Sequence, residues 1–194
     1  MESIVLASRS PRRKQLLEWA EIDFDIVTKE TDESFPPEMP VEDVPVYIAR
    51  NKALAVQQSD IYKPYESGNI IVAADTVVIL ENTIIGKPAD EDEAVRILTR
   101  LSGKTHQVIT GVAMLTDGQE VTFSDTTEVS FHDLSLNQIN HYVENYKPLD
   151  KAGAYAIQEW IGVTGIKSIK GDFYNVMGLP VSRVVRELKK MSAK

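Results

Sequence analysis

The chain has 194 residues, 43% of them hydrophobic and 26% charged, with a formal net charge of −8 and no cysteine. That balance suits one globular domain, or two small lobes sharing a cleft, and calls for neither disorder nor a disulfide scaffold. Lack of cysteine excludes a thiol nucleophile and a zinc–cysteine site, and the acidic balance argues against long DNA or RNA as a partner, while a local basic cluster can still bind a small anion.

The opening MESIVLASRSPRR sets an acidic residue and a short apolar run before its arginines, the reverse of a secretory signal. The longest apolar stretches, residues 70–74 and 76–80, are separated by Asp75 and are too short to span a bilayer. A cytoplasmic protein with no membrane partner is expected. Residues 3–7 read as a short buried strand. Ser10 and Pro11 then open a helix as N-cap and first helical residue, with Leu16, Leu17 and Ala20 turned inward. Residues 24–27 read as a second strand, followed by an acidic, proline-rich loop over 30–45.

A second helix is predicted over 45–58, its apolar face made by Tyr47, Ile48, Leu54 and Ala55 with Asn51 in the middle and Lys52 at the border. Residues 62–69 read as a loop and 70–80 as the strongest strand. Asp90 with Glu93 resembles a capping box opening a helix whose apolar face is Val95, Leu98 and Leu101, stopped by Gly103. Two β-rich runs over 106–131 flank Thr116-Asp117-Gly118-Gln119, a hairpin signal. A helix over 134–146, a strand over 160–169 and a last helix from Pro180, striped by Val181, Val184, Val185, Leu188 and Met191, complete an α/β pattern with a mixed sheet.

Four constellations carry chemistry. In Ser8-Arg9-Ser10-Pro11-Arg12-Arg13 a strand delivers hydroxyls and guanidinium forks to a helix start, where unpaired N–H groups and the helix dipole attract anions. A capped helix with two solvated arginines would read the same way. Asp75 interrupts an apolar run with no polar face upstream of it, so pairing, a metal or a cleft must offset its burial. Thr76 follows and points to the opposite side of a regular strand. Lys52 can snorkel or reach a phosphate, Lys87 is aimed by the stiff Gly86-Lys87-Pro88 turn, and Glu30, Asp32 and Glu33 form a loop cluster able to hold a hard cation such as Mg²⁺ or to stay solvated. Gln158, after a run of small residues, has the donor and acceptor of an amide suited to a nucleobase edge, and a surface glutamine after a loop would read the same way. His106, His132 and His141 lack ligand spacing and read as structural or exposed.

Ser8-Arg9-Ser10-Pro11-Arg12-Arg13, Ala74-Asp75-Thr76, Gly86-Lys87-Pro88, Leu101-Ser102-Gly103, Asp150-Lys151-Ala152-Gly153-Ala154-Tyr155 and Met177-Gly178-Leu179-Pro180 together resemble the Maf family of nucleotide pyrophosphatases, in order and along the whole chain. The resemblance implies a single domain over 1–194 with a mixed, curved β-sheet and flanking helices, two lobes around a cleft as in inosine-triphosphate pyrophosphatases, and often a homodimer. It implies hydrolysis between the α- and β-phosphates of a nucleotide, dependent on a divalent cation such as Mg²⁺ or Mn²⁺. Asp75 would be the general base, a metal ligand or both, with Glu33 as a further ligand. Ser8, Ser10, Arg12, Arg13, Lys52 and Lys87 would hold the triphosphate. Arg12, Thr76 and Gln158 look like the subgroup acting on dTTP and UTP; the subgroup acting on 7-methylguanosine triphosphate has tryptophan, glutamine and glutamate there. Ala156 departs from the glycine often found at its position. A regulatory nucleotide-binding protein of cell division is the alternative from another class.

Overall fold

The computed structural model describes residues 3–65 and 68–192. Met1 and Glu2 of the opening segment, and Glu66 and Ser67 of the predicted 62–69 loop, lie outside the described residues. Seven strands form one mixed sheet: β1 (Ile4–Leu6), β2 (Phe24–Ile26), β3 (Ile71–Leu80), β4 (Thr83–Ile85), β5 (Thr105–Leu115), β6 (Glu120–Phe131) and β7 (Ile166–Lys170). Their order is β2-β1-β3-β5-β6-β7, with β4 paired to β3. β1 is parallel to both β2 and β3, whereas β4 on β3 and β7 on β6 are antiparallel. Among the described residues seven α-helices accompany the sheet: α1 (Pro11–Trp19), α2 (Val44–Gln57), α3 (Glu91–Leu101), α4 (Leu136–Tyr146), α5 (Trp160–Gly165), α6 (Phe173–Met177) and α7 (Val181–Ser192). No helix among the described residues is long and apolar enough to cross a membrane.

The chain divides into two compact units. The first comprises Met1–Asp75, Thr110–Asp125 and Gly178–Lys194. Its core joins Val5 of β1 and Ala7 just after it, Ala49, Ala53 and Val56 of α2, Ile71 and Ala73 of β3, and Ala113 and Leu115 of β5. The inward face of α2 is therefore Ile48, Ala49, Ala53 and Val56, while Tyr47, Leu54 and Ala55 of the predicted face are only partly buried. Alanines at 49 and 53 let the helix axis approach closely, and α2 is apolar on too many sides for periodicity to choose one. The predicted loop after it contains a 3-10 segment, Asp60–Tyr65, anchored by the buried Tyr62, whose hydroxyl donates to the Asn69 carbonyl at 2.9 Å.

The second unit comprises Thr76–Ile109 and Thr126–Met177. Here α3 packs on α4 and on the 3-10 turn Ala152–Ala154. The Asp90 side chain accepts from the Glu93 N–H at 2.7 Å, an N-cap that contributes about 1 kcal/mol, but the Glu93 carboxylate reaches the Ala89 N–H and not that of Asp90. Ala94 and Ile97, not Val95, join Leu98 and Leu101 as its buried face. α4 does carry a complete capping box, between Ser135 and Gln138. The predicted strand over 160–169 is a correction: α5 occupies its first half and β7 begins at Ile166. The β-branched Ile161, Val163 and Thr164 suggest a strand, yet a Cβ on Gly162 would come within 1.7 Å of the Ile157 carbonyl oxygen, so the chain coils where only glycine fits. The short helix α6 was not anticipated. The predicted hairpin closes as expected, with the Thr116 N–H donating to the Gln119 carbonyl at 2.9 Å.

Candidate active site

In the first unit β1 pairs with β3 through Leu6 and Val72, and the chain leaves β1 at Ala7 to reach Ser8 and the start of α1. Carboxyl ends of parallel strands are where α/β sheets bind ligands. Ser10 has extended backbone at the helix start but its side chain caps nothing; its N–H donates to the Ser8 hydroxyl at 3.2 Å. Ser10 therefore holds the expected N-cap position ahead of Pro11, without a side-chain capping bond, and Ser8 organises the turn. The Ser8 hydroxyl also accepts from Arg13 at 3.1 Å, and Arg13 Nε donates to the Gly178 carbonyl at 2.8 Å. Burial lowers the Arg13 pKa from its ordinary value; the Asp75 carboxylate opposes that, Arg12 reinforces it and Glu33 opposes it. Arg12, Arg13, Glu33 and Asp75 therefore share one electrostatic neighbourhood.

The four β3 residues before Asp75 are fully buried, as expected of a strand covered on both faces. Asp75 itself has a side chain 15% exposed, and its Oδ1 lies 2.8 Å from Lys52 Nζ. Lys52 also contacts Glu33 Oε1 at 2.7 Å. A loop, a helix and a strand thus bring two carboxylates and one ammonium to a point. Of the predicted loop cluster only Glu33 enters this group; Asp32 instead accepts from the Ser34 N–H and hydroxyl. Among the described residues no three His, Cys, Asp or Glu side chains are grouped to hold a metal. Glu33 and Asp75 converging on one cationic point nevertheless suit a hard divalent ion, which takes one or two carboxylates and completes its shell with phosphate and water oxygens. The donor set fits such an ion.

The second unit holds Thr76, Lys87 and Gln158. Lys87 is exposed in its turn, and the Gly86 carbonyl accepts from the Gly153 N–H at 3.1 Å, tying that turn to the segment that leads to Gln158. Gln158 is exposed and Thr76 is partly buried. Around Gln158 the structure brings forward three residues whose roles the sequence did not disclose: Tyr142, Lys151 and Glu159, linked by hydrogen bonds and an ion pair. His106 is buried, 2.7 Å from the Tyr155 hydroxyl and stacked on Phe131, and burial lowers its pKa to about 4. His132 and His141 are exposed. All three histidines are structural or exposed, as expected.

A family model described as Maf-like protein matches residues 3–191. The chain belongs to the Maf family. Similar proteins include the dTTP/UTP pyrophosphatase of Cytophaga hutchinsonii, 50% identical over 97% of this chain and 84% of that protein. Those of Phocaeicola vulgatus and Bacillus cereus are each 47% identical over 97% of this chain and 95% of theirs. Among solved structures, the Staphylococcus aureus Ham1 protein is similar at a TM-score of 0.45 and 14% identity, over 68% of this chain and 73% of that one.

Proposed function

We propose that this chain hydrolyses pyrimidine nucleoside triphosphates, dTTP and UTP foremost, to the monophosphate and pyrophosphate. The carrying observation is the Asp75 carboxylate, largely buried within an apolar strand and held by Lys52 at 2.8 Å. A protein that only bound a polyanion would gain nothing from a carboxylate at that place. The names of the relatives supply the substrate class, and Arg12, Thr76 and Gln158 resemble the residue types of that subgroup.

Arg12, Arg13, Lys52 and Lys87 hold the triphosphate, with the Ser8 and Ser10 hydroxyls and the opening amides of α1 adding donors. Triphosphate oxygens compete for Lys52 and draw it from its two carboxylates. Asp75 then orients a water, or takes its proton, as the water oxygen bonds to the α-phosphorus; the bond between that phosphorus and the α–β bridging oxygen breaks, and pyrophosphate leaves. The basic side chains neutralise the charge that accumulates on the leaving group, so catalysis rests on positioning and electrostatics. Glu33 and Asp75 would hold a divalent cation, which supplies further neutralisation of the phosphates and a more acidic water when bound. The Gln158 amide faces the O4 and N3–H edge of uracil or thymine, and Thr76 helps to select the base.

The test incubates the protein with dTTP, UTP, CTP and 7-methylguanosine triphosphate and quantifies pyrophosphate and monophosphate together. Pyrophosphate and monophosphate in equal amounts from dTTP and UTP are expected. Diphosphate with orthophosphate would overturn the reaction, and a preference for the methylated purine would overturn the subgroup.

A further inference from the structure

Gln158 sits at the tip of a tight turn. The Glu159 N–H donates to the Ala156 carbonyl at 3.1 Å, making Gln158 the third residue of a four-residue turn. An exposed side chain on such a tip has three rotatable bonds and a backbone of its own to order before it can read anything, and each ordering step weakens recognition. The approach to the turn is also strained. Gly153 and Ala154 are both left-handed, at φ 71° and 57°, and Ala154 is wholly buried. A left-handed non-glycine residue costs about 1 kcal/mol or more and persists only where its surroundings hold it.

The Tyr142 hydroxyl, fully buried on α4, grips both stems of this turn. It accepts from the Ala156 N–H at 3.1 Å and donates to the Glu159 carboxylate. The other Glu159 oxygen lies 3.6 Å from Lys151 Nζ, which also contacts Asp150 Oδ1 at 2.8 Å. The Lys151 side chain is only 9% exposed. This nearly buried ammonium sets a positive charge beside the Glu159 carboxylate.

We propose that Tyr142, Glu159 and Lys151 are positioning residues for Gln158, holding its turn so that the amide meets the pyrimidine edge in one orientation and sets the preference for thymine and uracil over cytosine. The inference rests on the base-reading role proposed for Gln158. None of the three residues touches the substrate, and each acts through the turn.

The experiment compares wild type, Tyr142→Phe, Glu159→Gln, Gln158→Ala and the Tyr142→Phe/Gln158→Ala double variant. Two readouts are taken: kcat/KM for dTTP and CTP, and amide hydrogen exchange at Ala156 and Glu159. Tyr142→Phe removes one oxygen. It should speed exchange at those amides about tenfold or more, as expected for loss of one buried hydrogen-bond partner. It should also lower the dTTP to CTP ratio about tenfold, through KM for dTTP with kcat nearly unchanged. In the Gln158→Ala background the ratio should not fall further. Glu159→Gln keeps an acceptor for the tyrosine but loses the charge facing Lys151, so it should move both readouts in the same direction by less, and it decides the matter if Tyr142→Phe does not fold. Equal losses on both substrates, unchanged exchange, or a further fall in the double variant would each overturn the proposal. If Gln158→Ala leaves the ratio unmoved, the base-reading role itself is wrong. If Gln158→Ala moves the ratio and neither Tyr142→Phe nor Glu159→Gln does, only the positioning role is wrong.

Discussion

Two lysines of this chain each stand against two carboxylates, and they do opposite work. Lys52, on α2, gathers Glu33 from a loop and Asp75 from β3, at 2.7 and 2.8 Å. Lys151 contacts Asp150, its neighbour in sequence, at 2.8 Å and Glu159 at 3.6 Å. The first group is partly open, with Glu33 53% exposed. The second is tied through Tyr142 to the Ala156 amide, so moving it means moving main chain. The two groups therefore differ in consequence: the first is open to solvent on its Glu33 side, and the second is part of the fold.

Asp75→Asn should give the largest effect. The change is nearly isosteric, so the protein should fold, while kcat for dTTP falls on the order of 10²-fold or more through loss of a base. Near-normal turnover at saturating divalent cation would place the chemistry elsewhere. On the packed side, His106 supplies the next effect. Its pKa drops from 6.5 to about 4 because burial disfavours the charged ring. Between those values the unfolded chain takes up a proton that the folded one refuses, so stability is complete above pH 6.5 and is lost as pH falls toward 4, by about 3 kcal/mol in all. Urea unfolding at about pH 7 and about pH 5 should show this slope in wild type and a flatter one in His106→Asn. Equal slopes would mean that the imidazole is not desolvated. The smallest effect on stability belongs to Glu33→Gln: the exposed partner of an ion pair should change unfolding free energy by no more than about 1 kcal/mol. A larger loss in the same unfolding assay would erase the distinction between the two lysines.

Much of this was legible in the sequence where local rules govern. The apolar run interrupted by Asp75, the Thr116–Gln119 hairpin and the helix before Gly103 follow from patterning and turn chemistry. Misreadings arose where distant neighbours decide. Ser10 occupies the N-cap position as its pattern predicts, but its side chain makes no capping bond, and its N–H goes to Ser8 through a turn that no pattern reports. Ile161, Val163 and Thr164 favour a strand, yet the chain coils into α5 there, with Gly162 so close to the Ile157 carbonyl that only glycine fits. Of the candidate site, Asp75 and Lys52 could be singled out from their settings, whereas the Glu33 contact depends on the path of a long loop. Tyr142 gave no signal at all: its partners lie 14 and 17 residues away, and a tyrosine on an apolar helix face ordinarily reads as core.

The left-handed, fully buried Ala154 limits which residues that position can tolerate. The backbone there would accept glycine most easily, while the surrounding packing is fitted to a methyl group. Alanine is the smallest side chain that satisfies the packing and the largest that the backbone can carry without a steeper penalty. Glycine would relieve the dihedral but leave a void and a looser unfolded chain, and anything with a γ-atom would need room that a wholly enclosed site does not have. Substitution libraries across 150–158 should accordingly find this one of the narrowest positions in the segment, although Ala154 itself carries no functional group.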